Sequence, residues 1–420
     1  NNANANPLYY VHNLYINDEL VTKLVIHDTV TEIKSYAFYG CTSITSVIIP
    51  NSVQSIGDSA FRDCSSLQSI IIGSGITTID DYAFYNCSNL TSVVIPDRVT
   101  SIGYNVFYGC TKLQYNEYGN ALYLGNDDNL YVALIKAKDT DITTCEVNVR
   151  TKYIVARAFD NCFKLTSITI PDSVQSIGDS AFENCQSLTS VTIPGSVTLI
   201  GGSAFSNCSN LTSVTILDGV QFIWQGAFVY CDNLTSITIP SSVTFIVGNV
   251  FSHCSNLTKV NYTGTIADWC DISFFDEHSN PLYYAHNLYI NDELVTELAI
   301  PNTVAEIKHL AFYGCTSITS VIIPDSVQSI SNAAFEGCSN LISITIPDSV
   351  QTIGYRAFHY CSNLSKVYYE GSSDDWDKIE VGNYNGSLTS ATRYYYSESE
   401  PTEEGNFWHY DTDGVTVVEW

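Results

Sequence analysis

Apolar residues recur along the chain at two spacings at once. Over four or five residues they alternate with Ser or Thr, as in Ser190-Val191-Thr192-Ile193 and Val214-Thr215-Ile216. That period of two predicts a strand with one buried face. Over a longer distance the whole pattern returns. Residues 204–231 read AFSNCSNLTSVTILDGVQFIWQGAFVYC, and each part has copies up and down the chain. An Ala-Phe pair comes first, with Val for Ala at Val106 and Val250; Cys follows Phe by three residues and Leu or Ile follows Cys by three. The strand comes next, usually stopped by Pro, as at Pro50, Pro96, Pro171, Pro194, Pro240, Pro324 and Pro347. A second apolar pair such as Val174 and Ile177 closes the unit, often before Gly.

The cysteines measure the period. They fall in three runs, Cys41–64–87–110, Cys162–185–208–231–254 and Cys315–338–361, with every step within a run equal to 23. Metal ligands would stand two to four residues apart, and a disulfide scaffold would show short irregular loops. A regular step of 23 instead marks a repeat. One 23-residue unit cannot bury a hydrophobic face alone, but stacked copies place the same position of every turn in one column. Leu211, Val214, Ile216, Val220, Ile223, Ala227, Phe228 and Cys231 are the interior set of one such turn. Pro at the strand end fits, since it has no N–H to donate to a further ladder bond.

The string Ile170-Pro171-Asp172-Ser173-Val174-Gln175-Ser176-Ile177-Gly178, followed by Ala181-Phe182-Glu183-Asn184-Cys185, resembles the BspA-type leucine-rich repeat. The resemblance spans about three quarters of the chain and recurs at each of the twelve in-register cysteines. It implies a repeat solenoid, a β-rich right-handed-type coil with one short parallel-sheet strand per turn, plus hairpin insertions. It also implies a bacterial or protist protein at the cell surface or outside the cell, adhesin-like, with no catalytic residues.

Breaks in the register divide the chain. We expect a first solenoid block over 1–114 that starts mid-module, then a β-hairpin insertion over 115–150 around Gly125-Asn126-Asp127-Asp128-Asn129. A second block covers 151–260 and a Trp/Tyr-containing insertion 261–295. A third block covers 296–366, a C-terminal capping module 367–396, and an acidic linker with a short aromatic tail 397–420. Two of these segments are echoes. Residues 6–50 and 280–324 differ at only eight positions, and KVNYTGTIADW beside KVYYEGSSDDW aligns Trp269 with Trp376. The opening Asn1-Asn2-Ala3-Asn4 and the lack of any Met read as a mature or excised piece.

Composition narrows the function classes. With 44 Asp+Glu against 17 Lys+Arg the net charge is −27, which excludes a basic face for nucleic acid or anionic lipid. At 45% hydrophobic and 15% charged this is a folding chain, and no run of about 18 apolar residues offers a membrane span. No catalytic motif, phosphate loop or metal-ligand spacing is present, so no enzyme activity, cofactor or metal is expected. Asp411-Thr412-Asp413-Gly414 reads as a turn, lacking the later carboxylates of a calcium loop.

The candidate binding residues lie on the outward side of the strands. Ile48, Ile71 and Val94 form an apolar run, followed by Thr169, Thr192, Thr215 and Thr238. The apolar run fits a protein partner, the Thr/Ser lattice an ice- or glycan-facing surface, and β-branched residues also simply favour strands. Trp269 and Trp376, with Tyr9, Tyr10, Tyr15 and their copies Tyr283, Tyr284 and Tyr289, are candidates for stacking on sugar rings. The same aromatics would equally plug the solenoid where its repeat breaks. The twelve column cysteines are expected as buried free thiols; Cys145 and Cys270, off register, are the candidates for exposure. The expected partner is therefore a protein on an extended face, with self-association into a layer or filament and glycan binding as alternatives.

Overall fold

A computed structural model of the chain describes residues 6–402, 404–412, 414 and 416–420. Asn1 to Asn4, Glu403, Asp413 of the acidic turn, Val415 and the Tyr9 side chain lie outside the described set. Two compact units, Asn1–Leu211 and Thr212–Trp420, divide the chain. Each is a parallel β-solenoid.

The turn containing Cys208 shows the plan. Leu188 leads into the strand Ser190–Ile193, whose inward Val191 and Ile193 are buried while Thr192 faces out. Pro194 ends it and accepts the Val197 N–H at 3.0 Å, closing a four-residue turn. The second apolar pair then forms a strand of its own, Leu199–Ile200, in register with Ser176–Ile177 of the preceding turn. The expected strand is thus joined by a second, two-residue one, and each turn contributes to two ladders. In the first unit the longer ladder runs through Lys23–Val25, Ser46–Ile49 and Ser69–Ile72. The shorter runs through Glu32–Ile33, Ser55–Ile56, Thr78–Ile79 and Ser101–Ile102.

The remaining side of the turn is irregular but equally well bonded. At all twelve column cysteines, the residue five before Cys and the residue just before it take left-handed backbone, as at Ser180 and Asn184. These two reversals turn alternate N–H groups toward the following turn. Ser180, Phe182 and Asn184 donate to the Gly202, Ala204 and Ser206 carbonyls at 2.8, 2.7 and 2.9 Å. Buried backbone is thereby satisfied without regular secondary structure.

Polar columns stitch the turns further. The Ser of the Pro-x-Ser-Val strings, Ser173 excepted, donates to the Val carbonyl one turn back: Ser196 to Val174 at 2.6 Å, Ser326 to Val304 at 2.7 Å. The Thr after the repeat Leu or Ile donates Oγ1 to the carbonyl 23 residues earlier, as Thr45 does to Thr22 and Thr235 to Thr212. Inside, phenylalanines stack face to face, Phe159 on Phe182 at 5.0 Å and Phe182 on Phe205 at 4.9 Å between ring centroids. Each column Cys lies beside them, fully buried or nearly so.

Three excursions fill the breaks in register. In the first unit Ala121–Leu124 and Ala133–Ala137 form the expected hairpin, and a third strand, Asn116–Tyr118, joins through left-handed Gly119 and Asn120. Ala133–Ala137 then pairs in parallel with Tyr153–Ile154, which restarts the short ladder. In the second unit the break is an enlarged turn. Strand Lys259–Tyr262 leads to helix Ile266–Asp271, capped reciprocally by Thr265 and Asp268. The chain returns as Leu288–Ile290, directly beside Lys259–Tyr262. The third, after Lys366–Tyr369, repeats this with a helix at Ser373–Trp376 and a return strand Thr392–Tyr396. Phe407–Tyr410 then pairs with Thr392–Tyr396, and Val417–Glu419 folds back on it.

Candidate interaction surface

Strand pleat puts every second residue of the longer ladder on the outside. In the first unit Val25, Ile48 and Ile71 stand directly opposite one another, and Ser92 bridges Ser69 to bring Val94 next in line. Their exposures are 65%, 43%, 62% and 49%, high for four β-branched apolar side chains side by side. Sequence reading had Ile48, Ile71 and Val94; Val25 belongs with them and was hidden because its strand lacks the Pro that marks the others.

The threonines do not form a uniform lattice. Thr169 and Thr192 are exposed, Thr215 and Thr238 half-buried. Thr169 pairs with Glu146 in the first unit. In the second unit Thr215 faces Thr238, then Asn261 and Tyr289 continue the row, while Thr345 further on is buried between Ile322 and Tyr368.

Trp269 and Trp376 are buried, so neither offers a face to a sugar. Trp269 stands edge-on to Tyr262 at 5.2 Å and donates Nε1–H to the Ala311 carbonyl at 2.8 Å. Trp376 stands edge-on to Tyr369 at 5.2 Å with the Arg393 guanidinium over its ring. Each fills the extra space an enlarged turn encloses, and Trp269 satisfies its polar edge there. The tyrosines of the duplicated segment divide. Tyr10 and Tyr15 are exposed, whereas Tyr283, Tyr284 and Tyr289 are half-buried. The Tyr284 hydroxyl accepts the His253 N–H at 3.0 Å. His12 and His286 each bring Nδ1 to a carbonyl, Gly40 and Gly314, at 3.0 and 2.9 Å.

All fourteen cysteines are free and buried, Cys145 and Cys270 included. Cys145 lies on the inward side of Thr144–Glu146, and Cys270 on the buried side of Ile266–Asp271. Burial pushes the thiols of Cys110, Cys145, Cys208, Cys254 and Cys270 up to about 12, which removes thiolate character near neutrality. Among the described residues, no group of three or more His, Cys, Asp or Glu is placed to hold a metal, and no helix is long and apolar enough to cross a membrane.

One surface feature escaped the sequence reading. Arg62 lies over the rings of Tyr39, Tyr82 and Tyr85 at 5.7, 5.2 and 4.7 Å, and Tyr85 stacks on Tyr108 at 5.2 Å. Arg157 lies over Tyr104 at 5.1 Å. Arg62 and three of these tyrosines, Tyr39, Tyr85 and Tyr108, occupy the same repeat position, two before Cys. Comparing that variable position between turns would have found them.

The family described as the BspA type leucine rich repeat region matches residues 12–127, 152–280 and 285–392, in six copies. Among solved structures, a leucine-rich repeat protein from Bacteroides ovatus is similar at 22% identity, covering 91% of this chain and 90% of that one, with a TM-score of 0.41. A leucine rich cell surface protein from Faecalibacterium prausnitzii is similar at 25% identity, over 86% and 90%, with a TM-score of 0.35. A leucine-rich repeat protein from Eubacterium ventriosum is similar at 22%, over 80% and 86%, at 0.37. Among curated protein sequences none matches. With the repeat string, the two ladders and the match over most of its length, this chain belongs to the BspA-type leucine-rich repeat family.

Proposed function

We propose that the chain is a non-enzymatic, adhesin-like protein at the cell surface or outside the cell, and that it binds a protein partner on the outer face of its longer ladder. The observation that carries this reading is the row Val25, Ile48, Ile71 and Val94, each at least 43% exposed. Isolated exposed apolar residues are ordinary, but a contiguous row on a rigid ladder is the kind of patch that marks an interface. The test replaces Ile48, Ile71 and Val94 together by Thr, which keeps β-branching and the buried side of each strand. Binding to immobilised extracellular-matrix proteins should fall away while the melting temperature stays put. Undiminished binding would remove the row from the interface.

A second reading, assembly of copies end to end, is favoured by one comparison within the chain. Leu288–Ile290 pairs with both Lys259–Tyr262 and Glu293–Leu294. Its duplicate Tyr15–Ile16 pairs, among the described residues, only with Glu19–Leu20, leaving Tyr15 and Ile16 exposed where Tyr289 and Ile290 are half-buried. Exposed apolar side chains on so short a strand favour packing against a further strand. Light scattering over a hundredfold range of concentration separates the readings: a mass that stays monomeric rules assembly out.

A further inference from the structure

The excursion after Cys110 leaves a cleft inside the first unit. The short ladder ends at Ser101–Ile102 and restarts from Ala133–Ala137, with no hydrogen-bonded pairing between those strands among the described residues. The phenylalanine stack reaches Phe107, which lies on Phe84 at 5.8 Å, and resumes at Phe159. Between them lies a cavity of about 400 Å³. Its presence registers in the core itself. Phe107, Cys110 and Leu113 are 6%, 5% and 5% exposed, where Phe84, Cys87 and Leu90 one turn earlier are all at 0%.

Ile102, Val106, Phe107, Ile135 and Val155 give the cleft an apolar wall, and polar side chains, Lys136 and Arg157 among them, line the rest. Lys136 holds its ammonium 5.0 Å from the Tyr115 ring and has no carboxylate within ion-pair distance among the described residues. It is a cation without a counter-charge in a chain of net charge −27. Asp160 gives one carboxylate oxygen to Arg157 at 3.3 Å, and its Oδ1 is buried away from the cleft.

We propose that this cleft is a binding site for a small aromatic carboxylate. The planar ring continues the stack beyond Phe107, where a turn of the solenoid would have placed another phenylalanine. The carboxylate meets Lys136. A volume of about 400 Å³ suits one such molecule and falls within the usual range of small-molecule sites.

The probe is 4-hydroxyphenylacetate, titrated calorimetrically into the full chain with ligand-observed NMR alongside. Cyclohexylacetate lacks the planar ring. Saturable binding of one equivalent is expected, abolished for cyclohexylacetate. Lys136→Gln, at an exposed position that folding tolerates, should weaken the probe about tenfold. Ala156→Trp, at the cleft wall, should block it with the far-ultraviolet circular dichroism unchanged. Absence of saturable binding, equal binding by cyclohexylacetate, or full affinity in Lys136→Gln each overturns the assignment. None of these outcomes touches the outer row of Val25, Ile48, Ile71 and Val94, so the two sites stand or fall separately.

Discussion

At the scale of the residue, the question is why the repeat spends a cysteine on its core. The Sγ of Cys208 lies 3.3 Å from the Phe182 carbonyl, and Cys64, Cys87 and Cys254 make the same contact with Phe38, Phe61 and Phe228. The thiol is small enough for the corner and carries one donor for a carbonyl of the turn behind. Alanine would fit but lacks the donor, and valine has neither the donor nor the shape. Cys208→Ala should therefore cost about 1–2 kcal/mol in urea unfolding, from one weak hydrogen bond and a small void together. The residue before each Cys is under a different demand, left-handed backbone, which Gly, Asn and Asp meet at nine of the twelve positions. Asn at successive turns also bonds to itself, as Asn207 does to Asn184 at 2.6 Å. Tyr360 holds the same conformation at φ 58° with a bulky, exposed ring. Tyr360→Asn should raise stability by about 0.5–1 kcal/mol, read from the unfolding midpoint; a loss would mean that the contact of its ring with His359 outweighs the backbone strain.

At the scale of the element, the enlarged turns decide how the repeat survives its own interruptions. Trp269 fills the space its turn opens, and its N–H closes the Ala311 carbonyl. Trp269→Phe should cost about 1–3 kcal/mol, mostly from that carbonyl left without its donor, and Trp269→Ala about 3–5 kcal/mol. Both values are readable from unfolding of the full chain. The repeating strands and their inward residues were legible in the sequence because period-two alternation recurs in register, so one turn's reading checks the next. The two-residue strands were not, since a pair such as Leu199–Ile200 is too short to show any period. The burial of Trp269 was not legible either: a tryptophan outside the repeat reads alike as plug or platform until the turn around it is known. The closing hairpin carries a titratable contact of its own. Burial raises the Glu370 carboxyl to about 7, Asp325 and Asp348 adding to it, while the Tyr410 hydroxyl donates to it from the closing hairpin. With its folded pKa above the unfolded value, Glu370 supports the fold fully below about pH 4.5, and that support is lost as pH rises through about 7. Amide exchange in Phe407–Tyr410, corrected for intrinsic rates, should be more protected at pH 5 than at pH 8. Glu370→Gln should flatten the difference.

At the scale of the whole molecule, stacked turns make stability a property of neighbours. Neighbouring turns complete each other's amides and carbonyls, and an inner phenylalanine such as Phe61 or Phe182 lies between two others, so such a turn cannot open without exposing its neighbours. The fourteen buried thiols report this turn by turn along both units. With the thiols of Cys110 and Cys208 both pushed up to about 12, thiolate fraction does not distinguish them in the native state at pH 8. What separates them is access: Cys110 borders the cleft where the phenylalanine stack is interrupted, while Cys208 sits at 0% exposure within continuous turns. Pulse alkylation of the native protein, resolved by peptide mass spectrometry, should modify Cys110 well before Cys64, Cys87, Cys185 or Cys208. Equal rates at all of them would mean that the stack opens as one unit and that the interruption is no weak point. Protection of Cys110 by 4-hydroxyphenylacetate, with the other rates unmoved, would tie that weak point to an occupied cleft.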